Sequence, residues 1–189
     1  YYVGHLYIIR LCLIKELTFM TYGDFIKAFP KEDDAIDWII SRRFKKGYRC
    51  PYCNARLRIY RQNYNRRFLY CNNCKNEFSA LNGTIFENTH LDLRMWLYVM
   101  MLMKIDRSKA GSKQLTDILN KMFGISEEMA MEAIKQVRED GIYAMRLKKE
   151  LDISYQSASR MLGKVQSLMA QQTDSSQGSI RGRGRKKVE

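Results

Sequence analysis

Three hydrophobic patterns follow one another along the chain. Ala35, Ile36, Ile39 and Ile40 recur at helical spacing with Trp38 beside them, and Pro30 separates this helix from a shorter helical piece beginning near Met20. Asp33 and Asp34 suit the positive N-terminal end of the longer helix, and Arg42 and Arg43 its negative C-terminal end. From Gly47 the period shortens to that of strands. LRIYR at 57–61 and RRFLY at 66–70 flank an Asn- and Tyr-rich turn, Gln62 to Asn65, and two further short runs follow, NEFSAL and the Gly83-led GTIFE. From Asp92 the helical period returns, with Leu93, Trp96, Leu97, Met100 and Met103 on one face and Asp92 as the expected N-cap.

Beyond this helix the chain repeats itself. SKQLTDILNKMFGISEEMAMEAIKQVRED at 112–140 and YAMRLKKELDISYQSASRMLGKVQSLM at 143–169 each hold a helix, a Gly-Ile-Ser or Asp-Ile-Ser turn, and a second helix capped by Ser126 or Ser154. Two helices joined by so short a turn predict a helix-turn-helix. After Ala170 the apolar period stops, and QQTDSSQGSIRGRGRKKVE reads as a disordered basic tail.

The expected fold class is α+β: a small antiparallel zinc ribbon followed by mainly α helix-turn-helix units. The expected divisions are an upstream extension at 1–19, an N-terminal helical segment at 20–46, a four-cysteine ribbon at 47–90, a helical region with two helix-turn-helix units at 91–170, and the tail at 171–189. The extension is inferred because the first methionine is Met20. The other reading of that stretch is a genuine short strand or helix. Its apolar run, LYIIRLCLIKELTF, is broken by Arg10, Lys15 and Glu16 and is shorter than the roughly 20 residues that span a bilayer. No cleavage site of a secretory signal follows it.

Four of the five cysteines form two C-x-x-C pairs, Cys50/Cys53 and Cys71/Cys74, separated by seventeen residues. Two tight knuckles can point four sulfurs at one ion, and strands this short bury too little apolar area to fold unaided. One structural Zn2+ is therefore expected, with no position left open for catalysis and His90 not needed as a ligand. A redox pair and an iron–sulfur cluster use the same residue types; two pairs flanking a hairpin favour zinc.

Charge then adds a partner. The chain carries 33 Lys and Arg against 20 Asp and Glu, a formal charge of +13. Eleven of the basic residues lie between Ser41 and Lys75, a stretch without a single Asp or Glu. A solvated face is the bland explanation, but a run this one-sided and rich in arginine suits bidentate phosphate contacts. The expected DNA contacts are Arg56, Arg58, Arg61, Arg66 and Arg67 on the ribbon, and Arg181, Arg183 and Arg185 in the tail. The Arg-Gly tail is similar to an AT-hook without its central proline. On the second helix-turn-helix, Tyr155, Gln156, Ser159 and Arg160 are placed to meet base edges while Ala158, Met161, Leu162 and Val165 face the core. The first unit carries Glu127, Glu128 and Glu132 at matching positions and is expected to pack or pair with protein. A plain helical bundle is the competing reading.

FIKAFPKEDDAIDWIISRRFKKGYRCPYCN, followed by YCNNCKNEFSALNGTIFENTHLDLRMWLYVM, resembles the N-terminal zinc-ribbon region of bacterial insertion-sequence transposases with an ISXO-like DDE domain, relatives of the eukaryotic Merlin elements. GIYAMRLKKELDISYQSASRMLGKV is similar to the helix-turn-helix that follows there. The resemblance covers most of residues 20–169 and implies recognition of transposon ends. It departs from the family in an extra helical unit at 106–140 and in the absence of the domain whose three carboxylates bind two metal ions. Asp33, Asp34 and Asp37 lie together on one short helix, where capping explains them. The expected function is therefore zinc-dependent binding of double-stranded DNA without catalysis by this chain. The expected protein partner is a second copy or a transposase catalytic subunit, and no membrane is involved. The expected place is intracellular: cytoplasm or nucleoid in a bacterium, nucleus in a eukaryote. The alternatives are a fragment of a full DDE transposase and a zinc-ribbon transcription regulator.

Overall fold

A computed structural model describes residues 20–44, 49–56, 59–61 and 67–177, with side chains placed for 20–44, 49–56 and 67–170. Seven helices and three strands occur among them: α1 (Tyr22–Phe25), α2 (Glu32–Arg43), β1 (Ile59–Arg61), β2 (Phe68–Cys71), β3 (Glu77–Ser79), α3 (Leu93–Asp106), α4 (Ser112–Phe123), α5 (Glu127–Asp140), α6 (Ala144–Leu151) and α7 (Tyr155–Gln177). The fold is α+β. Its sheet is antiparallel in the order β1-β2-β3, with Tyr60 opposite Tyr70 and Leu69 opposite Phe78.

Helix α3 is the centre of the molecule. Asp92 caps it by accepting from the Arg94 N–H at 2.8 Å, as expected from the sequence. Its burial is wider than a single stripe: Tyr98, Val99, Met101, Leu102 and Ile105 are buried as well as Leu93, Trp96, Leu97 and Met103, whereas Met100 is only half-buried. A helix apolar over most of its circumference belongs inside a protein, and α1, α2, α4, α5 and α7 all pack on it. The amphipathic helices around it each bury one face, Leu115 and Leu119 on α4 and Ile134 and Val137 on α5.

The two helix pairs match the internal repeat. Each has a three-residue turn whose first residue is left-handed, Gly124 at φ +69° and Asp152 at +52°. Ser126 Oγ accepts from the Met129 N–H at 3.3 Å, and Ser154 Oγ from the Ser157 N–H at 3.1 Å.

Two expectations are corrected. GTIFE is not a strand: residues 81–88 form successive turns, with Thr84 N–H donating to Leu81 O and Glu87 N–H to Thr84 O. Phe86 is buried there against Trp96, ring centroids 5.8 Å apart, so packing on α3 replaces a ladder. The tail expected at 171–189 does not begin directly after Ala170, because α7 continues to Gln177. Serine and glutamine carry no apolar period but are tolerated in a helix already nucleated upstream. The expected turn at 62–65 and the extension at 1–19 lie outside the described residues.

Candidate metal centre and nucleic-acid interface

The ribbon brings Cys50, Cys53, Cys71 and Cys74 together. Cys50 Sγ lies 3.6 Å from Cys74 Sγ, Cys53 Sγ lies 3.7 Å from Cys71 Sγ, and all four sulfurs fall within 4.8 Å of one another. A disulfide would need about 2 Å, and all four thiols are free. A tetrahedral ion with bonds of about 2.3 Å spaces its sulfurs about 3.8 Å apart. Four soft donors at this spacing can hold a metal ion and are compatible with zinc.

Each knuckle is shaped by the same backbone bonds. Asn54 N–H donates to Cys50 O at 2.9 Å and Lys75 N–H to Cys71 O at 2.8 Å. The residue after each second cysteine is left-handed, Asn54 at φ +55° and Lys75 at +61°. Asparagine tolerates that conformation through its short polar side chain; lysine has no such relief. Donors then surround the sulfurs: Tyr52 N–H reaches Cys50 Sγ at 3.4 Å, and the side-chain amides of Asn73 and Asn76 reach Cys53 and Cys74 Sγ at 3.5 Å each. Asn73 and Asn76 were not singled out from the sequence. Their signal was the asparagine-rich knuckle CNNCKN itself.

Electrostatics within the tetrad favour a cation. The Asn73 amide, followed by the Ala55 backbone, holds the Cys53 thiol down at about 6. At Cys74 the Asn76 backbone N–H also pulls downward, but burial and the three neighbouring sulfurs outweigh it and push this thiol up to about 11. One thiolate forms easily and its charge makes the next proton harder to remove. A divalent ion removes that penalty, and its binding expels the protons.

The expected DNA-contact arginines of the ribbon and the tail fall into three groups. Arg56 is exposed on the first knuckle. Arg67 is half-buried and engages Glu32, whose Oε1 also accepts the Leu93 N–H at 3.1 Å, so this arginine ties the ribbon to α2 and to the start of α3. The side chains of Arg58, Arg61 and Arg66, and all of Arg181, Arg183 and Arg185, lie outside the described residues. Two other members of the basic run also have internal work. Arg42 stacks on Trp38 at 3.7 Å and donates to Met122 O at 2.6 Å, and Arg43 donates to Ala80 O.

On α7 the packing separates two faces. Ala158, Met161 and Val165 are buried, while Tyr155, Gln156, Ser159 and Arg160 are exposed along its first turns. Leu162 is half-buried. Arg160 and Lys164 border a groove of about 860 Å3 whose other cationic groups are Arg42, Arg43 and Lys104. On α5, Glu127 and Glu128 are exposed and Glu132 half-buried. Exposed His90 is not part of the tetrad.

One stretch of 73 residues, 38% of this chain, is 34% identical to a Halobacterium salinarum protein described as an uncharacterized protein in transposable element ISH50. The stretch makes up 24% of that relative, so the chain matches about a quarter of its length. No family model and no solved structure matches the chain. Among the described residues no helix is long and apolar enough to cross a membrane.

Proposed function

We propose that this chain is a zinc-dependent, double-stranded-DNA-binding protein, the recognition part of a transposase, which binds transposon ends and does not cut DNA by itself. The observation that carries the reading is the outward row Tyr155, Gln156, Ser159 and Arg160, on a helix anchored from behind by Ala158, Met161 and Val165. Gln can read adenine and Arg guanine in a major groove. The four-thiol tetrad supports zinc as the element that holds the basic ribbon in shape. The likeness to a transposable-element protein supports the tie to transposition. The ISXO-like, Merlin-related family is the one proposed, with a second copy or a catalytic subunit as protein partner and an intracellular site of action.

The test is selection from a random duplex library with zinc present at two salt concentrations. An enriched motif that Q156A and R160A each degrade by about 1–3 kcal/mol per lost base contact is the expected result. Steep loss with salt and no enrichment would leave phosphate contact alone and remove the reader role from α7. A second reading is that the chain is a piece of a complete DDE transposase. The observation behind it is that the match to the ISH50 relative covers about a quarter of that protein's length.

A further inference from the structure

The two knuckles share one backbone pattern and differ in charge. Cys50 N–H donates to Ala55 O at 3.1 Å, and Cys71 N–H to Asn76 O at 2.9 Å. In each knuckle the residue before the first cysteine pairs with the residue three beyond the second. In the second knuckle that pair is Tyr70 with Glu77; in the first it is Arg49 with Arg56. Directly opposed antiparallel residues hold their Cβ atoms about 5 Å apart, and like charges there repel. The second knuckle shows that this backbone does not require two cations. Negative charge on the thiolates is common to both knuckles, so it does not explain arginines on one alone.

Both arginines are exposed, and among the described residues no carboxylate pairs with either. Arg49 Nη1 makes one long bond, to Asn54 O at 3.3 Å. Arg49, without Arg56, also lines a cavity of about 280 Å3 whose other polar side chains include Arg43, Tyr52, Ser79 and Asn82, with no carboxylate among the described lining residues. Two exposed arginines at directly opposed backbone positions, with no described carboxylate paired to either, can offer two guanidinium forks to the oxygens of a phosphate.

We propose that Arg49 and Arg56 form a clamp for one phosphate group of a nucleic-acid backbone. This rests on the DNA-binding reading above and adds to it a named anchor on the first knuckle. The clamp fixes the ribbon on the backbone while base reading is left to α7.

The experiment compares the zinc-loaded full chain with R49Q/R56Q and with K113Q/K121Q. The control double removes the same charge from exposed positions of α4. Duplex affinity is measured by fluorescence anisotropy across a salt series, and zinc content by a chromophoric chelator. The expected result for R49Q/R56Q is a log K against log salt slope shallower by about 0.9, with affinity about tenfold lower at low salt, zinc content unchanged and the control near wild type. Equal effects of both doubles overturn the proposal, as does loss of zinc from R49Q/R56Q, which would assign the pair to the metal. If the wild-type chain binds no duplex, the DNA reading itself falls. The clamp is then decided by the arginine Nε–H resonances during titration with inorganic phosphate. Shifts at Arg49 and Arg56 keep it, with free phosphate as ligand, and their absence ends it.

Discussion

Tyr98 shows how much a single side chain inside the helical core is asked to do. It is fully buried, and its hydroxyl meets Glu150 on α6 and lies 3.4 Å from Met20 O. Burial first, and then the Glu150 charge, push its phenol far above the ordinary value, so it stays a donor at any working pH. Arg146 completes the cluster, its Nε 3.6 Å from Glu150 Oε2 and its Nη1 donating to Gly141 O at 2.7 Å. With its amide turned to suit, Gln136 donates to Met20 O at 3.2 Å and accepts from Arg146 Nη2 at 3.1 Å. Glu150 Oε2 has the ion pair and no hydrogen bond. Y98F therefore leaves a partly buried carboxylate short of its donor and is expected to cost about 1–3 kcal/mol in urea unfolding. Nothing in the sequence marked these residues as partners, because Tyr98 and Glu150 are 52 positions apart and belong to different helices.

At the scale of elements, the caps and turns were legible and the lateral joints were not. Ser126, Ser154 and Asp92 act as caps because a short oxygen-bearing side chain before a helix has a local partner two or three residues on. Replacing Ser154 by alanine removes the bond to the Ser157 N–H and is expected to destabilise the chain by about 1 kcal/mol in thermal or urea unfolding. An unchanged midpoint would mean that the first turn of α7 is held by packing alone. The joints between elements rest on long-range contacts. Trp38 and Arg42 of α2 both donate to Met122 O near the C-terminal end of α4, each at 2.6 Å, and Trp38 stacks on Phe123 at 5.4 Å. The carbonyl-rich end of a helix is a natural seat for a cation. Thus part of the basic run read as an approach to nucleic acid also secures α2 and the ribbon to the helices.

For the molecule as a whole, metal and helical core are expected to separate in their response to conditions. Zinc removal by a chelator, or C74S, should abolish ordered ribbon signals in NMR while most helical circular dichroism persists, since α3 to α7 bury their own apolar faces. Collapse of the helical signal as well would show one cooperative unit. Zinc should also be lost as pH falls, because protons compete for thiolates, and release by a chromophoric chelator should rise with acidity. The sequence by itself determined the four-cysteine cluster, the alternation of strand and helix, the repeat and its caps. Those features depend on spacing between near neighbours, which covalent geometry converts directly into position. Only the tertiary structure decided that Arg67 grips Glu32, that Arg42 and Arg43 bond to the Met122 and Ala80 carbonyls, that GTIFE packs as turns under Trp96, and that α3 is buried over most of its circumference. It also opposed Arg49 to Arg56 across the first knuckle. Each of these depends on which surfaces meet after folding, and a charge or an apolar side chain carries no record in the sequence of the distant partner that will satisfy it.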